Sequence, residues 1–134
     1  MFDSFQVTYN IFEQSTLPVL REVLNYGKKV IIKEALANGR VFQNDKFQHY
    51  NKAYAILEEL SKKHNVGIDA IALRFVIESL NPTYILSGAS NVSQLKQNLK
   101  VLDVGFNFKD LQVLKALEVP SEVYWNERST LNWD

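Results

Sequence analysis

Apolar and polar positions along this chain switch between a period of about two and a period of about 3.6. "FQVTYNIF" (Phe5–Phe12) has the β-branched and aromatic content of a first strand. "STLPVLREVLNYG" predicts a helix, with Ser15 or Thr16 as its cap and Gly27 as its stop. "KKVIIKEAL" (Lys28–Leu36) is a short, nearly continuous apolar run, as expected of a parallel strand covered on both faces. "LANGRVFQNDKF" is polar and turn-rich and reads as a long loop. "NKAYAILEELSKKHN" then places Ala53, Ile56, Leu57 and Leu60 at helical spacing, and "IDAIALRFVIESLN" does the same with Ala72, Leu73, Val76, Ile77 and Leu80. "PTYILS" predicts a third short strand, entered through Pro82, where a missing N–H does little harm.

Asn91 and Gln94 form a capping-box pattern ahead of Leu95, Leu99 and Leu102, and Asn107 with Asp110 forms a weaker one before Leu111, Leu114 and Leu117. The tail "EVPSEVYWNERSTLNWD" carries both tryptophans and no clear period. The predicted order is β-α-β-loop-α-α-β-α-α, without repeats or linkers. Helices between strands make parallel βαβ units with right-handed crossovers. Three strands are too few for an open doubly wound sheet. The length of 134 residues is also only about half of the roughly 250 in a complete (β/α)8 barrel.

Composition narrows the function. At 46% hydrophobic, the chain can bury one real core. Fifteen basic and fifteen acidic residues are interspersed to a formal charge of zero, which gives no support for nucleic-acid binding. Without cysteine there is neither a disulfide framework nor a thiolate metal site, and two histidines, His49 and His64, argue against a histidine-rich one. No secretory or transit signal opens the sequence, and no apolar run approaches the roughly 20 residues of a membrane span. A soluble cytoplasmic protein is the default expectation.

In parallel α/β architectures ligands bind beyond the carboxyl ends of the strands. "TYNIFEQ", "KEALANG" and "SGASNVSQ" are predicted to lie there. In the third, Gly88, Ala89 and Ser90 let backbone approach a ligand, and the helix starting near Asn91 directs its positive dipole end at the same loop. Gln94, Gln97 and Asn98 can reach back toward that ligand. Equally, Asn91 and Gln94 can simply cap the helix while Gln97 and Asn98 face water.

"ILSGASNVSQLKQNL" resembles the last barrel strand and following helix of the aldo-keto reductases, in the subgroup with a Gly-Ala-Ser-Asn motif. "FDSFQVTYNIFEQS" is similar to that family's sixth strand and "KKVIIKEALANGR" to its seventh, with the loop over the cofactor pyrophosphate. "AILEELSKKHNVGIDAIALRFVIES" is similar to the helix pair before strand eight, and "YWNERSTLNWD" to the C-terminal tail. The resemblance implies a partial (β/α)8 TIM barrel of about three parallel strands with flanking helices. It further implies an oxidoreductase of aldehydes and ketones, among them sugar-type carbonyls, with NADP as cofactor and NAD as the alternative.

By motif position, Gln6, at the end of its strand, would bond the nicotinamide carboxamide, and Lys33 stands where the family often has an aromatic stacked on that ring. Glu34, Ala35, Leu36 and Ala37 would line the pyrophosphate path, largely through backbone. Gly88, Ser90 and Gln94 would meet the adenosine phosphate region, and Gln97 and Asn98 the adenine edge. Four positions depart from the pattern. Glu34 replaces a small polar residue and would repel phosphate unless it turns away or pairs with Lys33 or Arg40. Gln97 replaces a Glu, though an amide oxygen can still accept from the adenine amine. Gly88 and Gln94 stand where other subgroups carry Lys and Arg.

The family's acid–base Tyr, Lys, Asp and His belong to its first four strands, which this sequence does not contain, so no catalytic residue is assigned. Tyr9 and Tyr84 are expected to pack, His49 and His64 to be solvated, and Lys28–Lys29 and Lys62–Lys63 to be ordinary solvated pairs. A three-stranded arc would expose an apolar inner face and two strand edges, driving either self-association or pairing with an N-terminal half-barrel. The alternatives are a non-catalytic nucleotide-binding or interaction module and a vestigial truncated product.

Overall fold

The computed structural model describes residues 4–86 and 100–131. Strands β1 (Ser4–Thr8), β2 (Lys29–Lys33) and β3 (Tyr84–Ile85) form one parallel sheet in that order. Gln6 pairs with Ile31, and Ile31 with Tyr84. Helices α1 (Leu17–Asn25), α2 (Asn51–His64), α3 (Ile68–Leu80), α4 (Phe108–Lys115) and α5 (Ser121–Ser129) complete the described residues, with 3-10 turns at Ala37–Gly39, Asp45–Tyr50 and Lys100–Asp103. Helices connect the parallel strands, as the predicted order required.

Side-chain alternation divides the sheet. Val30 and Ile32 are fully buried beneath the helices, with α1 packed on β2 and α3. On the other face Ser4, Gln6, Lys29, Lys33, Tyr84 and Leu86 are exposed and Ile31 is half-buried. Two expectations are therefore corrected. β2 is covered on one face, and the uncovered face is a polar–apolar mixture because Ser4, Gln6, Lys29 and Lys33 share it with Ile31, Tyr84 and Leu86. Tyr84, expected to pack, lies on that face at 59% exposure. Tyr9 does pack, fully buried with its ring 6.0 Å from Phe75 and nearly parallel to it.

Strand ends are earlier than the apolar runs suggest. β1 stops at Thr8 rather than Phe12 because Asn10 Oδ1 accepts from the backbone N–H of Phe12 and Glu13, both at 2.9 Å, forcing a turn. β2 stops at Lys33 rather than Leu36 because Glu34 adopts φ 57°, outside any strand conformation.

Helix ends follow local chemistry. Pro18 sits in the first turn of α1, and Gly27, at φ 78°, takes the left-handed stop. Thr16 occupies the cap position, but its hydroxyl donates to Thr8 O at 3.3 Å and no side-chain cap forms. α2 and α3 end on left-handed Asn65 and Asn81. The Asn107–Asp110 box forms in full. Asp110 also binds Lys63 Nζ at 2.7 Å and His64 Nε2 at 3.2 Å, so neither side chain is merely solvated. The loop before α2 contains two 3-10 turns, and the tail without apolar period forms a helix over Ser121–Ser129. The Asn91–Gln94 box lies outside the described residues.

Candidate functional site

The carboxyl rim of the sheet is built around two turns that meet. After β1, the fully buried Asn10 directs its Oδ1 at its own turn and its Nδ2 outward, donating to Glu34 O at 2.8 Å and Tyr124 Oη at 3.0 Å. After β2, Glu34, Ala37 and Asn38 all take positive φ near 55°, followed by Gly39 at 86°. Each such non-glycine residue costs on the order of 1–3 kcal/mol, so the turn persists only because its surroundings fix it.

α5 supplies that fixation. Tyr124, Glu127 and Arg128 share one helix face, three and four residues apart. Glu34 Oε1 accepts from Arg128 Nε at 2.9 Å, and Oε2 accepts from Thr8 Oγ1 and Tyr124 Oη, both at 3.2 Å. Burial raises the cost of ionising Glu34, but bonds from Arg128, Asn38 and Tyr124 outweigh it and hold the carboxyl below its usual range. The anticipated partners Lys33 and Arg40 are not the ones used, because left-handed φ carries the Glu34 side chain toward α5.

Arg40 anchors the other end of the turn. It is 1% exposed, donates from Nε to Ala37 O at 3.0 Å and from Nη1 to Tyr124 O and Glu127 Oε1, both at 3.1 Å. Its guanidinium carbon lies 4.0 Å from the Tyr124 ring centroid. Glu127 also accepts from Tyr50 Oη and His49 Nε2, so His49 is half-exposed yet engaged. Burial and the neighbouring carboxylates raise the phenol pKa of Tyr50 and Tyr124, keeping both hydroxyls as donors.

Two depressions open on this rim. One, of about 370 Å³, is lined by Lys33, Glu34, Ala35, Leu36, Asn38 and Leu86, with Gly39. The other, of about 350 Å³, includes Gln6, Thr8, Thr16, Lys33 and Trp125, with Glu13 at its wall. Glu13 is 1% exposed; its carboxylate takes Ser15 N at 3.0 Å, Ser15 Oγ at 2.6 Å and Ser121 Oγ at 2.8 Å. Burial opposes its ionisation, yet the Ser15, Ser121 and Trp125 donors lower its pKa. Lys33 belongs to both depressions.

The structure thus gathers Gln6, Lys33, Glu34, Ala35 and Leu36 at one rim. Gln6 sits in mid-strand rather than at a strand end, since β1 continues to Thr8. Ala37 is buried and serves the Arg40 bond. Gly88, Ser90, Gln94, Gln97 and Asn98 lie outside the described residues. The sequence reading missed Asn10, Glu13, Tyr124, Glu127 and Arg128, and it named Arg40 only as a partner for Glu34. The 124/127/128 spacing was the available signal, overlooked because it is polar and aromatic rather than apolar. Among the described residues no cluster of three metal-ligating side chains exists, and no helix is long and apolar enough to cross a membrane.

Three carboxyls here, Glu13, Glu34 and Asp110, have folded pKa values below their ordinary range. For Asp110 burial again works the other way, and the Lys63, Asn107 and His64 bonds prevail. The native state therefore binds fewer protons than the unfolded one in acid. Stability from these groups is fully present above their unfolded values of about 4 and is lost as pH falls through the lower folded values. Melting temperature is expected to be flat from pH 7 to about 5 and to fall steeply below about 4, with Asp110→Asn shallowing the fall. An equally steep fall in the variant would remove Asp110 from the cause.

The aldo/keto reductase family model matches residues 1–119. No curated protein matches the chain significantly. Among solved structures, the thermostable aldo-keto reductase Tm1743, in complex with the inhibitor epalrestat, is 24% identical with TM-score 0.64 and covers 85% of this chain and 39% of its own. The aldo-keto reductase AKR11C1 from Bacillus halodurans, in its apo form, is 16% identical with TM-score 0.67, over 86% and 43%. The Gox0644 D53A mutant in complex with NADPH is 17% identical with TM-score 0.66, over 87% and 38%. The chain therefore spans only about two fifths of the length of these relatives, and at such identities they establish its fold: three parallel strands of a (β/α)8-type barrel. With a family match over most of its residues and a parallel sheet whose loops gather at the carboxyl rim, this chain belongs to the aldo/keto reductase family.

Proposed function

We propose that this chain is the dinucleotide-holding part of an NAD(P)H-dependent reductase of aldehydes and ketones, sugar-type carbonyls included. One observation carries the reading: two depressions at the carboxyl rim join at Lys33, with Gln6 in one and the backbone of 34–36 in the other. Each volume lies within the ordinary range for small-molecule sites, about 300–1,000 Å³. The donor chemistry fits. Gln6 and Lys33 are exposed, and neither side chain bonds another described residue, leaving an amide for a carboxamide with an ammonium beside it. When bound, a reduced nicotinamide would supply hydride. This chain's residues would orient it: Gln6 at the carboxamide, Lys33 beside the nicotinamide ring, the 34–37 turn at the diphosphate, and Gly88, Ser90, Gln94, Gln97 and Asn98 at the adenosine end. NADP is the preferred cofactor and NAD the alternative; no residue here is assigned an acid–base role.

Among the described residues the outer edges of β1 and β3 are unpaired, and these edges, with the uncovered face carrying Ile31, Tyr84 and Leu86, fit strands from the part of the barrel that the relatives have and this chain does not span, or from a second copy. Titrating the chain with NADPH, alone and together with a polypeptide covering the first three fifths of a relative, tests both points. Weak binding alone and tighter binding together are expected; no binding in either mixture would refute the reading.

A further inference from the structure

The face of the sheet turned away from the helices carries a charge of its own. Lys29 and Lys33 stand at the two ends of the central strand β2 on that face, with Ile31 between them. Neither ammonium has a counter-ion among the described residues. Four residues of strand separate them, about 13 Å. The carboxylates at the rim are already committed, Glu34 to Arg128, Thr8 and Tyr124, and Glu13 to Ser15 and Ser121. A ligand at the rim reaches Lys33 alone, since Lys33 lines both depressions and Lys29 lines neither. Apolar surface is left uncovered as well: Tyr84 and Leu86 on the same face, and Val19 and Tyr26, two turns apart along α1 and its cap.

We infer that this face is the interface for a complementary set of barrel strands whose inward positions carry carboxylates, and that Lys29 and Lys33 bar a second copy of this chain from taking their place. The inference deepens the reading proposed above, on whose barrel geometry it rests, by naming the partner of the same rim. Closing a barrel takes both lysines out of water, and a buried ammonium is tolerated only with a counter-charge. Two copies would bring six strands, short of the eight of this barrel. They would also gather four such lysines in one interior, with Glu13 and Glu34 already bound within each copy. Like charges brought together in this way oppose the wrong pairing, and lysine on an open sheet is a common guard against it. The three fifths of the relatives that this chain does not span hold the five strands still wanted. A carboxylate opposite each lysine turns the same repulsion into selection.

The test reads association of the full chain by sedimentation velocity at low salt, with circular dichroism as a check on folding. The parent and the Lys29→Glu/Lys33→Glu variant should each sediment as a monomer. Their equimolar mixture should associate at least about tenfold more tightly than either alone, and added salt should weaken it. Lys29→Met/Lys33→Met, which removes the charge and keeps the side-chain length, should self-associate at least about tenfold more tightly than the parent, without that salt dependence. Coexpressed with the first three fifths of Tm1743, the parent should yield at least about ten times more complex than the charge-reversed variant. A parent that self-associates as tightly as the methionine variant overturns the inference, because a second copy then fits. So does a mixture no tighter than its components, or coexpression in which the parent yields no complex or no more than the reversed variant. Titrating the same samples with NADPH keeps the two readings apart. Charge-governed association without NADPH binding leaves the interface standing and removes the dinucleotide, whereas NADPH binding by a self-associating parent does the reverse.

Discussion

Replacing Arg40 by alanine is expected to destabilise the fold by about 3–5 kcal/mol, the range for breaking a buried charge pair from one side. The guanidinium is 1% exposed, and its removal takes the side-chain donor from the Ala37 and Tyr124 carbonyls, of which Ala37 keeps the backbone N–H of residue 40 at 3.1 Å, and leaves Glu127 without its arginine counter-charge. It also removes the cation stacked on Tyr124. His49 and Tyr50 would still donate to Glu127, so the loss should stay nearer the lower end of that range. Arg40→Met with Glu127→Leu should recover more than half of it, since apolar replacement of a whole buried pair is often neutral. Urea denaturation with a constant slope measures both variants. A cost below about 1 kcal/mol for Arg40→Ala would show that α5 is held by something else.

Asn10→Ala should cost nearly as much, about 3–4 kcal/mol, although it deletes only a small side chain. Each buried group stranded without a partner costs about 1–3 kcal/mol. Asn10→Ala strands two, the backbone N–H groups of Phe12 and Glu13, and takes one partner each from the Glu34 carbonyl and the Tyr124 hydroxyl, which keep Ala37 N and the Glu34 carboxylate respectively. Asn10→Asp should preserve the turn, because the new carboxylate still accepts from Phe12 and Glu13. It should lose the two donated bonds and place a second anion beside Glu34. The two variants separate turn formation from rim assembly: the carboxylate variant would keep the β1 turn while loosening α5. Limited proteolysis between α4 and α5 reads that loosening directly, and equal resistance in Asn10→Asp and the parent would contradict it.

These two residues explain how a short chain holds a strained turn. Left-handed Glu34, Ala37 and Asn38 are held within the turn only by short-range bonds such as Ala37 N to Glu34 O at 2.8 Å and Asn38 Nδ2 to Glu34 Oε1 at 3.4 Å. Their conformation is imposed by Asn10 from one side and by Arg40 and Arg128 from the other. The rim is thus a junction of β1, β2 and α5, with Lys33 lining both of its depressions.

Element order, the parallel α/β class and the family resemblance were all legible in the amino acids alone. Those rest on short-range patterns: β-branched runs for Val30–Ile32, helical spacing in α2 and α3, and the Asn107–Asp110 cap. Such signals lie within a turn or two of one another, and backbone geometry converts them directly into periodicity. Motif resemblance also gathered Gln6, Lys33 and Glu34 into one proposed site. Three-dimensional packing was needed to settle where the strands stop, which face of β2 is covered, and which cation neutralises Glu34. Asn10 meets Tyr124 across 114 positions and Arg40 meets Glu127 across 87. A polar side chain carries no mark of so distant a partner, because its hydrogen bonds are fixed by where packing of the apolar faces leaves it.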